Sequence, residues 1–132
     1  MRMQSKHYIA SGQGENYNYS QDHCFVKVSS RDTNGEFCLI EDRIKPGFHL
    51  KRHHHKIMTE VFYMLEGEME LIFDDESIVL QAGDTITVPP TVWHEAKCTE
   101  GGKMLTIFKN GHFDRYLEKL SKMSDKDFED KD

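Results

Sequence analysis

Nowhere does the chain hold the roughly 18 consecutive apolar residues that a membrane-spanning helix takes. Its opening stretch, MRMQSKHYIASGQ, lacks the apolar run of a secretory leader. Basic residues are outnumbered, 17 Lys and Arg against 23 Asp and Glu, for a net charge of −6. A surface of that sign repels phosphate backbones, which argues against nucleic acid as a partner. Cysteine is scarce: Cys24, Cys38 and Cys98 form no CxxC pair. An odd, scattered set fits free thiols in a reducing compartment better than a disulfide framework. No fixed period recurs, which excludes solenoids and propellers. These absences leave a soluble, cytoplasmic protein as the expectation, with no membrane and no nucleic-acid partner and with a small molecule as its substrate.

What is present fits one domain, since 132 residues leave little room for a second. Residues 1–22 are polar and glycine-rich and read as an N-terminal arm, with room for one short strand. From His23 the character changes. HCFVKVSS reads as a strand ended by the turn signal RDTNG, and EFCLIEDRI as a second strand stopped at Pro46-Gly47. Short β-rich runs follow from Glu60 to Pro90, punctuated at Glu66-Gly67, Asp74-Asp75-Glu76 and Ala82-Gly83-Asp84, and GKMLTIF adds one more. Strands of this length between tight turns predict an all-β sandwich or barrel over residues 23–110. Only residues 111–132 look helical: Phe113, Tyr116, Leu117 and Leu120 share one face of a short C-terminal helix that packs on the barrel, ahead of an acidic tail.

Three adjacent histidines stand in the middle of this β-rich chain, within HLKRHHHKIMTE. In an extended segment side chains alternate, so His53 and His55 share a face and His54 takes the other. Glu60 follows after KIMT and opens the strand EVFYML; a hairpin there would bring it back beside the two histidines. His94, after VPPTVW, is placed to add a third imidazole from a neighbouring strand. Three neutral imidazoles and one carboxylate suit a divalent transition metal (Fe, Mn, Ni, Co, Cu or Zn) and leave coordination positions open to substrate. A ligand set without thiolate is a poor match to a closed structural zinc site. Phe62 and Met64 share the parity of Glu60 and are expected to line the interior as core and pocket wall, while Tyr63 points outward. His49 and His54 read as surface or packing residues, Trp93 as packing and Cys98 as a small buried thiol.

The spacing resembles that of the cupins. Their first motif, G-x5-H-x-H-x3,4-E-x6-G, is matched in full by Gly47, His53, His55, Glu60 and Gly67. The second, G-x5-P-x-G-x2-H-x3-N, is matched at Gly83, Pro89 and His94, with Thr91 for the inner glycine and Cys98 for the asparagine. Thr91 predicts a negative φ at that turn, or a loop of different shape. The resemblance spans roughly residues 36–108. It implies a double-stranded β-helix, a jelly-roll barrel with the metal inside, ligated by His53, His55, Glu60 and His94.

Many reactions run on one such fold, so three readings follow. The first is a metal-dependent dioxygenase resembling the single-domain quercetinase-like enzymes, with Glu60 as ligand and catalytic proton acceptor. The second is a metal-assisted isomerase, cyclase or lyase. The third is a non-catalytic cupin that binds a sugar or another small ligand. The polar arm resembles the segment that small cupins exchange between subunits, which implies a homodimer.

Overall fold

The computed structural model describes residues 5–110, 112–117, 119 and 122. Among these the chain forms ten strands: β1 (Asn16–Asn18), β2 (Asp22–Val28), β3 (Phe37–Ile44), β4 (Phe48–His53), β5 (Thr59–Glu66), β6 (Met69–Phe73), β7 (Ser77–Leu80), β8 (Thr85–Val88), β9 (His94–Cys98) and β10 (Gly102–Lys109). They pair antiparallel in a six-stranded sheet, ordered β1-β2-β3-β10-β5-β8, and a four-stranded sheet, ordered β4-β9-β6-β7. This is the all-β jelly roll that the turn-punctuated runs predict.

Alternation explains which residues build it. On β5, Glu60, Phe62 and Met64 are buried while Tyr63 is exposed; on β10, Met104, Thr106 and Phe108 are buried while Ile107 is exposed. The inward faces of both sheets meet in a core of Phe62, Met64, Val88 and Met104 from one and Phe48, Met69, Leu71 and Ala96 from the other. A second buried cluster (Cys24, Val26, Cys38, Ile40, Phe108 and Leu117) lies on the six-stranded sheet alone. Gly67 is required at the β5–β6 turn: its φ is +80°, and a Cβ there would come within 2.7 Å of the Gly101 carbonyl oxygen.

The segment RDTNG does more than turn. Ser30–Thr33 form a 3-10 turn closed by Asn34 in the left-handed conformation. At the other end Phe113–Arg115 form a 3-10 turn, with Leu117 and Lys119 helical after it. The two are tied together, since Asp114 Oδ2 accepts from Ser30 N and Ser29 Oγ, each at 3.1 Å. Phe113, Tyr116 and Leu117 pack on the second cluster, as the helical face predicts; Leu120 and the acidic tail at 123–132 fall outside the described residues.

Candidate metal centre

Two sheets bring four residues together. β4 and β9 are paired with His53 opposite His94, and their rings lie 4.4 Å apart, centroid to centroid. β4 ends at His53, so His55 sits just beyond the strand and is anchored differently: its carbonyl accepts from Thr91 N at 2.7 Å. Glu60 comes from β5, in the other sheet. The expected hairpin through KIMT is therefore replaced by a crossover, because β4 pairs with β9 whereas β5 pairs with β10 and β8. Glu60 reaches the histidines by facing them across the barrel. One ligand-capable atom from each of His53, His55, Glu60 and His94 lies within 4.8 Å of the others, a cluster able to hold a metal ion.

The hydrogen bonds around the cluster set its chemistry. His53 Nδ1 faces the Lys51 carbonyl at 2.7 Å and His94 Nδ1 faces that of Val92 at 2.9 Å. A carbonyl only accepts, so both rings donate through Nδ1 and, when neutral, turn an Nε2 lone pair inward. Glu60 Oε1 stands 3.1 Å from His94 Nε2 and 3.2 Å from His55 Nε2. Yet Oε1 and His94 Nε2 are both buried without a hydrogen-bond partner. Polar atoms that converge in a buried space without satisfied hydrogen bonds are what a cation satisfies. Burial opposes ionisation of Glu60, but the imidazoles of His55 and His94 override it and hold the carboxyl down to about 2. Burial pushes His53 down to about 4, against the pull of the Lys51 carbonyl, which keeps that ring neutral. His94 shifts upward: burial works against its protonation, and the Glu60 and Val92 oxygens outweigh it.

The neighbouring positions sort as their parity predicts, with one exception. Phe62 and Met64 point inward, Met64 without accessible surface and within the shared core. His54 turns away and packs edge-on against Trp93 at 4.2 Å, whose other contact is the Arg52 guanidinium over its ring. His49 contacts Glu95 on the outside of the four-stranded sheet, and Cys98 is a free, buried thiol. Thr91 is the exception: its φ is +70°, so the expectation of a negative angle is overturned. The donor bond from Thr91 N to the His55 carbonyl accompanies this conformation.

Three residues escape a reading of motif spacing, one of them, Phe113, in contact with the cluster. Phe113 lies edge-on to His55, 6.5 Å between centroids, and stacks on Phe108 at 4.2 Å. Asp22 and Asp42 point into the barrel from β2 and β3. An acid in the apolar alternation Cys38-Ile40-Asp42-Ile44 was the available signal for the last of these.

The comparisons with known proteins agree with this architecture. A family model described as the Cupin domain matches residues 41–108, more than half of the chain. In sequence the chain is similar to quercetin 2,3-dioxygenase of Bacillus subtilis, at 26% identity over 113 residues. The match covers 85% of this chain but 34% of that protein, so the chain spans about a third of that relative's length. In structure it is similar to an RmlC-like cupin from Shewanella frigidimarina, with TM-score 0.70 and 27% identity over 86% of this chain and 99% of that one. It is also similar to Bacillus subtilis oxalate decarboxylase, a structure concerned with Mn(II) centres, with TM-score 0.63 and 25% identity over 77% of this chain and 29% of that one. With both sheets, the four-residue cluster and the family match in agreement, this chain belongs to the cupin family.

Proposed function

We propose that His53, His55, Glu60 and His94 hold one divalent transition metal and that the protein is a dioxygenase acting on a small enolic or phenolic molecule. The observation that carries this reading is the inward convergence of Nε2 lone pairs on Glu60 Oε1 in a buried space. Similarity to a quercetin 2,3-dioxygenase supports the choice of reaction. When bound, the metal supplies open coordination positions for a chelating substrate and for dioxygen. The chain's own part is to orient and to exclude water. The Lys51 and Val92 carbonyls fix the tautomers of His53 and His94. Phe62, with Met64 beneath it, forms an apolar wall beside Glu60, and Phe113 covers His55. Glu60 Oε1 is the ligand atom and, as a carboxylate, accepts the substrate's hydroxyl proton.

Likeness to an oxalate decarboxylase favours a second reading, a metal-assisted lyase or isomerase in which no dioxygen is consumed. A cytoplasmic homodimer is part of the proposal. Tyr63 and Ile107 are exposed on the outer face of the six-stranded sheet, and Tyr8 of the arm is 88% exposed, both suited to cover by a second copy.

The test begins with metal analysis of protein purified without added metal, followed by oxygen uptake with a panel of flavonols and catechols. Near-stoichiometric metal and uptake with at least one compound are expected. Less than about a tenth of an equivalent, with no binding on reconstitution, sinks the metalloprotein reading. Full metal and turnover without uptake selects the lyase or isomerase.

A further inference from the structure

Two paired strands fall out of step where the histidines begin. β4 and β9 pair through Phe48–Cys98, His49–Lys97 and Leu50–Ala96, and again at His53–His94. Between the last two pairs β9 has one residue, Glu95, and β4 has two, Lys51 and Arg52. The extra residue is a β-bulge, and it reverses the alternation of β4. Phe48 and Leu50 pack on the core between the sheets. An unbroken strand would therefore turn positions 52 and 54 inward, set Arg52 opposite His94, and leave His53 and His55 outside. With the bulge, Lys51 and Arg52 are both exposed and the His53 ring meets that of His94. The bulge also supplies the acceptor for His53, since the carbonyl that faces its Nδ1 at 2.7 Å belongs to Lys51.

Arg52 is the side chain that the bulge turns outward, and two neighbours hold it there. Its guanidinium carbon lies 4.2 Å from the centroid of the Trp93 ring. It also forks onto Asp74: Nη2 donates to both carboxylate oxygens at 3.0 Å, and Nε to Oδ1 at 3.1 Å. Trp93 precedes His94, and Asp74 follows Phe73, which pairs with His94 from the other side. Arg52 thus ties β4 to β9 and to the end of β6, at the level of the row His53, His94 and Phe73. In the unbulged register the guanidinium would lose both partners and its water and would lie beside the buried His94, a placement that a charge resists.

We propose that Arg52 is a positioning residue: held outside the barrel by Trp93 and Asp74, it fixes the bulge that turns His53 and His55 toward His94 and Glu60. The proposal rests on the reading of those four residues as metal ligands and adds a residue outside the cluster that sets its geometry.

The test replaces the charge with an apolar side chain that continues the inward pattern of Phe48 and Leu50. For Arg52→Leu, cobalt(II) affinity, followed through the visible bands of the ion, is expected to fall by at least about tenfold, the usual cost of disturbing a group that orients a ligand. In the metal-free variant the cross-strand nuclear Overhauser contacts of His94 are expected to move from His53 to position 52. Arg52→Lys keeps a cation on Trp93 and gives up only an exposed fork. It is expected to hold cobalt within about threefold of the native protein, with His94 still opposite His53. Circular dichroism and urea unfolding report that the variants are folded, and Arg52→Met is read in place of Arg52→Leu should the latter not fold. Native affinity and native contacts in the apolar variant overturn the proposal, as does an equal loss in Arg52→Lys. Cobalt lost while His94 stays opposite His53 overturns it too, since Arg52 would then act other than through the bulge. A native protein that takes up no cobalt overturns the metal reading instead, and the contacts of His94 alone then decide whether Arg52 fixes the bulge.

Discussion

His53 and His94 commit their Nδ1 protons to backbone carbonyls, whereas the His54 ring spends itself on Trp93. The three neighbours in the triple-histidine run are thereby unequal. Removing a proposed ligand by His94→Ala or Glu60→Gln is expected to weaken metal binding by at least about tenfold, read as metal retained after dialysis against a chelator of known affinity. His54→Ala is expected to retain metal as the native protein does, and equal loss from His54→Ala and His53→Ala would show that the ring facing matters less than the geometry says. Asp22 gives a prediction in pH. Its folded pKa lies above the unfolded value, so folding takes up a proton and stability falls as pH rises from about 4 toward about 11. Asp22→Asn removes that uptake. The variant is expected to match the native protein near pH 4 and to exceed it by on the order of 2–4 kcal/mol at pH 7, measured by urea unfolding across that window. Parallel profiles for the two proteins would mean that Asp22 is ionised in the fold.

Turns and crossovers carry the next set of consequences. Thr91 holds φ at +70°, where a β-branched side chain is strained. Thr91→Gly relieves that strain against a loss of unfolded-chain stiffness, for an expected net gain of about 0.5–1 kcal/mol in thermal or urea unfolding. Asp114 joins the two 3-10 turns through Ser29 and Ser30; Asp114→Ala is expected to cost about 1–3 kcal/mol, seen in the same measurement. The strands themselves were legible because period-two alternation survives in β3, β5 and β10 with turn residues between them. The four residues of the cluster were legible too, as positions in two spaced motifs. The route from His55 to Glu60 was not: four residues serve a hairpin and a crossover equally well, and which sheet β5 joins is decided by its pairing with the distant β10. The backbone at Thr91 was misjudged for a related reason, because local propensity favours a negative φ and the bond to His55 belongs to another segment. Asp22 and Asp42 stand apart in sequence and become a pair only through strand register.

At the scale of the molecule, the outer face of the six-stranded sheet sets an apolar row, Tyr63 and Leu105 with Val61 and Ile107, beside Leu39. Light scattering coupled to size exclusion is expected to give the mass of two chains. The double change Tyr63→Glu with Ile107→Glu is expected to halve it, since burying two carboxylates opposite their symmetry mates opposes association. A native mass of one chain would remove the dimer from the proposal.

The division of the buried apolar residues into two clusters has a dynamic meaning. The larger cluster bridges both sheets, while the smaller leans on one sheet and is closed by Phe113, Tyr116 and Leu117. Cooperative units follow such contacts, so amide hydrogen exchange should divide into two tiers. Amides of β6 and β9 exchange only through global unfolding, whereas those from Phe113 to Leu117 exchange through a local opening that uncovers His55. Opening of the cover over His55 is then expected to be a motion separate from unfolding, with ligand entry and exit following the faster tier.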